Sequence, residues 1–177
     1  MNSKARDLPV KLKKQIAAQL LFPRFDYACT VYMDLSKNLK TKLDTQLNKA
    51  VRFVFSLPHR APTSNSRKKL KWMTLTQRRK YFLLTLTFQT LNTKKPPYLY
   101  DILRHNIIDY TQPQYMTTRH RPFFRIPFKS SNSLDASFYV AAMKAWNSLP
   151  EDIRTIEDLN SFKSKIKAHL MRPNVTS

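Results

Sequence analysis

No glycine occurs anywhere in the 177 residues, and this one absence removes more architectures than any motif in the chain adds. Glycine lets a backbone turn at positive φ or approach a ligand closely. Phosphate-cradling loops, dinucleotide fingerprints and nucleophile elbows therefore cannot form here in their usual shape. Tight β-hairpins also rely on positive φ, so a fold dense in them is disfavoured and helices are favoured. Asparagine is then the expected residue where a helix must end in a left-handed conformation. The fold class expected is mainly α.

Apolar residues make up 42% and aromatic residues 12% of the chain, enough for a packed core. Lys and Arg outnumber Asp and Glu by 32 to 11, leaving a net charge of +21. A charge of that size opposes compaction unless a polyanion or counterions offset it. Nucleic acid is the first class of partner implied, and an anionic membrane surface the second. The single cysteine, Cys29, sits in the apolar run FDYACTVY, so disulfide frameworks and multi-cysteine metal sites are excluded and an inert buried thiol is expected. His59, His105, His120 and His169 show neither the i, i+4 spacing of a helical metal pair nor a cluster with carboxylates. No metal and no cofactor is expected. The most apolar window, FLLTLTF, is too short to span a bilayer, and no N-terminal stretch resembles a signal peptide. These features point to a soluble intracellular protein of the nucleus, the cytoplasm or both, with no membrane partner.

Along the chain, VKLKKQIAAQLLF reads as a short amphipathic helix with Leu12, Ile16 and Leu20 on its apolar stripe and Pro23 as its end. Leu35, Leu39, Leu43 and Leu47 recur every four residues and continue into Ala50, Val51 and Val54, which predicts a longer helix with Ser36 as its N-cap. SLPHRAPTSNSRKKLK then reads as an exposed linker. Between Asp44 and Asp101 there is no acid against twelve Lys and Arg, so the basic excess is concentrated in this part of the chain. Thr74 and Gln77 are placed for a capping box at the head of a helix ending by Asn92, although its TLTFQT half has strand propensity as well. Pro96 and Pro97 open another one or two helical turns in YLYDILRH.

From Asp109 to Ala136 periodicity disappears. Arg119, Arg121, Arg125 and Lys129 alternate with Tyr110, Tyr115, Phe123, Phe124 and Phe128, and only FFRIPF suits a strand, which Pro127 confines to an edge. The stretch AAMKAWNSLPEDIR then holds a helix, its stop and the start of the next element. Phe138, Ala142 and Trp146 share a stripe, Ala141 and Ala145 allow close helix approach, and Asn147 with Pro150 ends the helix. Trp146, Leu149 and Pro150 are the expected structural anchors. Thr155 and Asp158 form a second capping signature before a last helix with Ile156, Leu159, Phe162, Ile166 and Leu170 on one face and Lys163, Lys165 and Lys167 behind. The organisation predicted is a helical part over residues 1–56, a basic Pro/Ser linker over 57–73, a helical part over 74–108, a basic-aromatic loop over 109–136, a C-terminal helical hairpin over 137–171 and a tail over 172–177.

Taken together, SFYVAAMKAWNSLPEDIRTIEDLNSFKSKIKAHL and four blocks before it, LLFPRFDYACTVY, KLDTQLNKAVRFVF, LKWMTLTQRRKYF and KKPPYLYDIL, resemble in order the C-terminal end of reverse transcriptases from non-LTR retrotransposons of the jockey and CR1 type. The resemblance runs from about Leu20 to Leu170, nearly the whole chain. It implies a thumb-like helical bundle and the region that follows it in an RNA-directed DNA polymerase. Family members usually carry glycine before the tryptophan and before the PYL segment, where this chain has Lys71 and Thr93, so local turns are expected to differ there. The family's metal-holding Asp-Asp motif lies upstream of the matched region, and this chain has no adjacent pair of aspartates. Its adjacent acids, Glu151-Asp152 and Glu157-Asp158, stand where helix starts favour carboxylates. The resemblance therefore implies a non-catalytic fragment that holds template and primer phosphates, with RNA, DNA or an RNA/DNA hybrid as partner and the missing polymerase palm as a further one.

A polymerase thumb grips its substrate through phosphate contacts, for which Lys and Arg suffice. The residues expected to do so are Arg67, Lys68, Lys69, Lys71, Arg78, Arg79 and Lys80 in the first acid-free segment and Arg119, Arg121 and Arg125 in the second. RKKLK also suits a nuclear localisation signal. Phe123, Phe124 and Phe128 either stack unpaired bases or tie the long loop to the core. Two other readings stand beside nucleic-acid binding: a protein-interaction module using a groove around Trp146, and a remnant of a mobile element with no role.

Overall fold

A computed structural model describes residues 8–27, 29, 35–108, 123–127 and 137–172. They form helices α1 (Val10–Asp26), α2 (Lys37–Phe55), α3 (Ser64–Leu70), α4 (Leu75–Thr93), α5 (Pro97–His105), α6 (Phe138–Asn147), α7 (Glu151–Arg154) and α8 (Leu159–Met171). The fold is mainly α. Among the described residues no strand forms, and β pairing is confined to an isolated antiparallel bridge between Ile107 and Phe124. The edge strand expected in FFRIPF reduces to that bridge, and a side chain 23 residues away closes its other side. The Asn147 side chain accepts from Phe124 N–H at 2.9 Å and donates to Phe124 C=O at 2.8 Å, taking the backbone groups a second strand would otherwise pair.

The chain divides into two compact units, one of Met1–Cys29 with Leu35–Arg78 and the other of Thr30–Asp34 with Arg79–Ser177. The boundary falls inside α4, well past the linker expected over 57–73. In the first unit that supposed linker contains α3, whose Leu70 packs with Trp72 and Leu75 against Leu47, Ala50, Val51 and Val54 of α2. Leu70 and Trp72 in this polar, cationic stretch, with Leu75 just beyond it, are enough to fold it onto a neighbour.

Helix α1 departs from its expected face by one residue. Lys13 and Ala17 are buried, with Leu21 and Phe25 packed beside them, while Leu12 is 41% and Leu20 63% exposed. The small Ala17 lets α1 approach Ala50 of α2 closely. Lys13 lays its methylenes along the contact and donates its ammonium to Ser56 Oγ at 2.8 Å. Pro23 does not end the helix, which runs to Asp26 with Tyr27 N–H donating to Pro23 C=O at 2.9 Å. Phe22 and Phe25, either side of this proline, pack into the core and hold the last turn in place, and Phe22 meets Trp72 edge-on at 4.9 Å. Cys29 is buried, as expected.

Helix α2 starts as read: Ser36 Oγ accepts from Leu39 N–H at 3.4 Å. Leu47, Ala50, Val51 and Val54 are buried, whereas Leu39 is exposed. With no glycine to use, the helix ends on Ser56 at φ 52°, and Leu57 N–H reaches Arg52 C=O at 2.9 Å. Lys71 and Lys94 take φ 56° and 57° at the ends of α3 and α4. Asparagine, the expected residue for these positions, fills none of them. A left-handed non-glycine residue costs about 1 kcal/mol, which hydrogen-bonded caps can offset.

The second unit is closed around aromatic rings. Phe88 of α4 stacks on Phe162 of α8 at 4.2 Å, Phe162 lies 5.9 Å from Trp146 of α6, and Trp146 meets Phe124 at 6.3 Å. Leu83, Leu84, Leu99, Leu103, Met143 and Ile166 fill the space between them. Helix α4 begins on the expected capping box, with Thr74 N–H donating to Gln77 Oε1 at 2.8 Å and Gln77 N–H to Thr74 Oγ1 at 3.1 Å. The TLTFQT segment is helical throughout; Thr85 and Thr87 return their hydroxyls to Tyr81 and Leu83 C=O at 2.8 and 2.9 Å, which satisfies buried polar groups inside a helix. Helix α5 starts with Pro97 at its first position, as read. Helix α8 is capped by Asp158 alone, through Ser161 N–H at 2.7 Å, and this bond holds the Asp158 carboxyl below its ordinary range. Thr155, read as part of that cap, instead ends α7 and donates to Glu151 C=O.

Candidate nucleic-acid interface

The cations singled out from the sequence fall into three different environments. Helix α3 carries Arg67, Lys68 and Lys69 in its last turn. Its orientation is set from below by buried Leu70 and from its start by Thr63, which is buried and donates to Asn48 Oδ1 at 2.8 Å. Lys71 N–H returns to Lys68 C=O at 2.9 Å and Trp72 N–H to Arg67 C=O at 3.2 Å. This closing turn buries Trp72 and leaves Lys68, Lys69 and Lys71 exposed. Arg67 is half-buried. No carboxylate among the described residues pairs with Lys68, Lys69 or Lys71. Positive charge at a helix C-terminus also complements the dipole, so these groups are well placed before any ligand arrives.

Arg78 is committed within the first unit. Its Nε donates to Asp26 Oδ1 at 2.8 Å, its Nη2 meets Asp26 Oδ2, and its guanidinium lies 4.3 Å above the Phe22 ring. The side chain is 15% exposed. Bidentate pairing and stacking tie α4's first turn to the end of α1, which leaves Arg78 poorly presented to a phosphate.

In the second unit, Arg79 and Lys80 are partly buried. Lys80 donates to Ser148 Oγ at 3.1 Å, and burial lowers its pKa. Arg125 is exposed, held by its own N–H on Asn106 C=O at 2.7 Å. Arg119 and Arg121 lie outside the described residues. So do Tyr110, Tyr115, Phe128 and Lys129. Of the described aromatics in that segment, Phe124 is 2% exposed in the core, and Phe123 lies under the guanidinium of Arg154 at 3.8 Å. Both serve packing rather than presenting a free face to a base.

Trp146 and Leu149 are buried, as anchors should be, but Pro150 is exposed and acts through its carbonyl, which accepts from Ile153 and Arg154 N–H at 3.2 Å each. Trp146 is 0% exposed, so the ring itself is enclosed in the core. Three polar residues have roles that the sequence did not signal: Lys13 under α2, Asn147, read only as a helix stop, clamping Phe124, and Arg154, which is 6% exposed and donates to Leu149 C=O at 3.1 Å. No group of three or more potential metal ligands occurs among the described residues, and none of their helices is long and apolar enough to cross a membrane.

Comparison with protein-family models, curated proteins and solved structures finds no match to this chain. The fold and surface define a mainly helical, strongly basic protein, three of whose exposed cations, Lys68, Lys69 and Lys71, stand together at the end of α3.

Proposed function

We propose that the chain is a nucleic-acid-binding fragment of a retrotransposon-derived RNA-directed DNA polymerase, one that holds the phosphates of template and primer without polymerase chemistry of its own. The observation that carries the reading is the acid-free stretch between Asp44 and Asp101, whose Lys68, Lys69 and Lys71 stand exposed and unpaired on a rigid turn. Such a cluster binds phosphate without reading bases.

A second observation supports the family resemblance. Lys71 stands where members usually have glycine, and it adopts φ 56°, the conformation glycine favours. At the other departure the left-handed residue is Lys94, one position after Thr93. The turns glycine would make are thus formed here by lysine at or beside the same positions. The family's Asp-Asp motif has no counterpart in the chain, so the proposed role is grip rather than catalysis.

The test is fluorescence anisotropy of labelled single-stranded RNA, duplex DNA and an RNA/DNA hybrid across a salt series. Each phosphate neutralised contributes about 0.9 to the slope of log affinity against log salt on a duplex. Lys68, Lys69 and Lys71 replaced together by Ala should therefore flatten the slope by roughly 2 to 3. An unchanged slope would remove α3 from the interface. Replacing Arg78 is a poor probe of contact, because its loss disturbs the Asp26 pair.

A further inference from the structure

An open cleft of about 420 Å³ lies between α1 and α2. Ala17 and Ala50, 4% and 5% exposed, form its floor. Ile16, Leu20, Leu21 and Phe53 line its sides, all of them incompletely buried. A lone exposed leucine is ordinary on a protein surface. Here the apolar side chains are contiguous around a concavity, which is the arrangement that marks binding surfaces. The cleft follows from the one-residue shift of α1: by burying Lys13 and Ala17, the helix turns Ile16 and Leu20 outward beside α2.

Chemistry at the edge restricts what can fill it. Arg24, Gln46 and Lys49 complete the lining, and no carboxylate takes part. Asp26, the acid nearest on α1, is held by Arg78. Nucleic acid would satisfy the two cations and leave the apolar sides uncovered. A second copy of the chain is opposed by its +21 charge and would bring the cations Arg24 and Lys49 of both copies into one seam with no carboxylate from the cleft to offset them. An apolar cleft with a cationic edge is complementary to a helix that is aliphatic along one face and acidic along its flanks. Such a helix docks in the groove between two others by its i, i+3, i+4 and i+7 side chains.

We propose that the α1–α2 cleft is a docking site for an acidic amphipathic helix of another protein, with aliphatic side chains against Ile16, Leu20 and Phe53 and carboxylates against Arg24 and Lys49. This surface is separate in chemistry from the lysine cluster of α3. It does not depend on the nucleic-acid reading.

The test uses the full chain and a labelled helical peptide of about 18 residues with Leu along one face and Glu on its flanks, against a peptide of the same composition with Leu scattered round the helix. At near-physiological salt the amphipathic peptide should bind at least about tenfold more tightly than the scattered one. Leu20→Glu should weaken it about tenfold while leaving affinity for the RNA/DNA hybrid unchanged. Leu20 is exposed, so this variant should fold, which its melting temperature will verify; Lys49→Glu provides a second exposed substitution with the same expected direction. Equal binding of the two peptides would overturn the proposal and reduce it to charge attraction, as would indifference to both substitutions. Two further results would also overturn it. One is competition by phosphatidylserine-containing vesicles whose own binding requires Leu20. The other is a concentration-dependent dimer that the peptide dissociates.

Discussion

The two units of this protein bury their helices in different ways. The second encloses large rings: Phe88, Phe124, Trp146 and Phe162 are each at most 2% exposed, and a side-chain clamp from Asn147 draws an irregular segment into the same core. The first brings α1 and α2 together over alanines and a lysine, and leaves Leu12, Leu20 and Leu39 in solvent. The contrast teaches that apolar spacing identifies a helix more securely than it identifies the face that helix buries. Ring area decides the orientation in the second unit and holds the last turn of α1, where Phe22 and Phe25 pack. Where the apolar residues are of middling size, a small residue permitting close approach, with one well-placed hydrogen bond, can decide it instead.

The largest test of this contrast is Trp146→Ala. Removing a fully buried ring that touches Phe124 and Phe162 should cost about 3 to 5 kcal/mol, read by chemical denaturation. The matching change in the first unit, Leu20→Ala, should stay within about 0.5 kcal/mol because the side chain is already exposed. Comparable losses at the two sites would erase the distinction between a closed core and an open one. Next in size is Asn147→Ala. It strips two hydrogen bonds from a partly buried backbone and should cost about 2 kcal/mol, since both groups of Phe124 lose their partner. A negligible loss would show that the segment around Phe124 adds little to the core, and the second unit would then be no more closed than the first.

How much of this was legible follows the same division. Local chemistry was readable wherever neighbours in sequence suffice: the Ser36 cap, the Thr74 and Gln77 box, proline at the start of α5, and the Trp146 stripe all stand as the residues imply. Three local readings failed as well, Pro23 as a stop, Thr155 as a cap and asparagine at the left-handed positions, but the failures that changed the packing needed distant partners. The phase of α1 depends on Ala50 and Ser56, the helical packing of α3 on α2, and the loss of the FFRIPF strand on Asn147, 23 residues from Phe124. The charge stretch that suggested phosphate binding was equally visible, but its division was not. Asp26, 52 residues before Arg78, removes that arginine from the exposed set, and no spacing rule announces such a pair.

The smallest expected effect joins the glycine question to the proposed function. Lys71 holds φ 56°, closes α3 and contributes one of its three exposed lysines. Lys71→Gly removes the left-handed penalty but adds freedom to the unfolded chain, so the net gain should be modest, about 0.5 to 1 kcal/mol. The same substitution deletes one cation, and the salt slope for duplex binding should fall by about 0.9 if that cation meets a phosphate. Stability and grip would then move in opposite directions on one residue. That is the outcome expected if lysine at this position is kept for its charge despite its backbone cost. A gain in stability with an unchanged slope would leave the strained lysine without a ligand to justify it, and would confine the binding surface to Lys68 and Lys69. A loss of stability would instead show that the Lys71 side chain itself supports the turn, placing the first unit's packing in a residue that contrast had assigned to its surface.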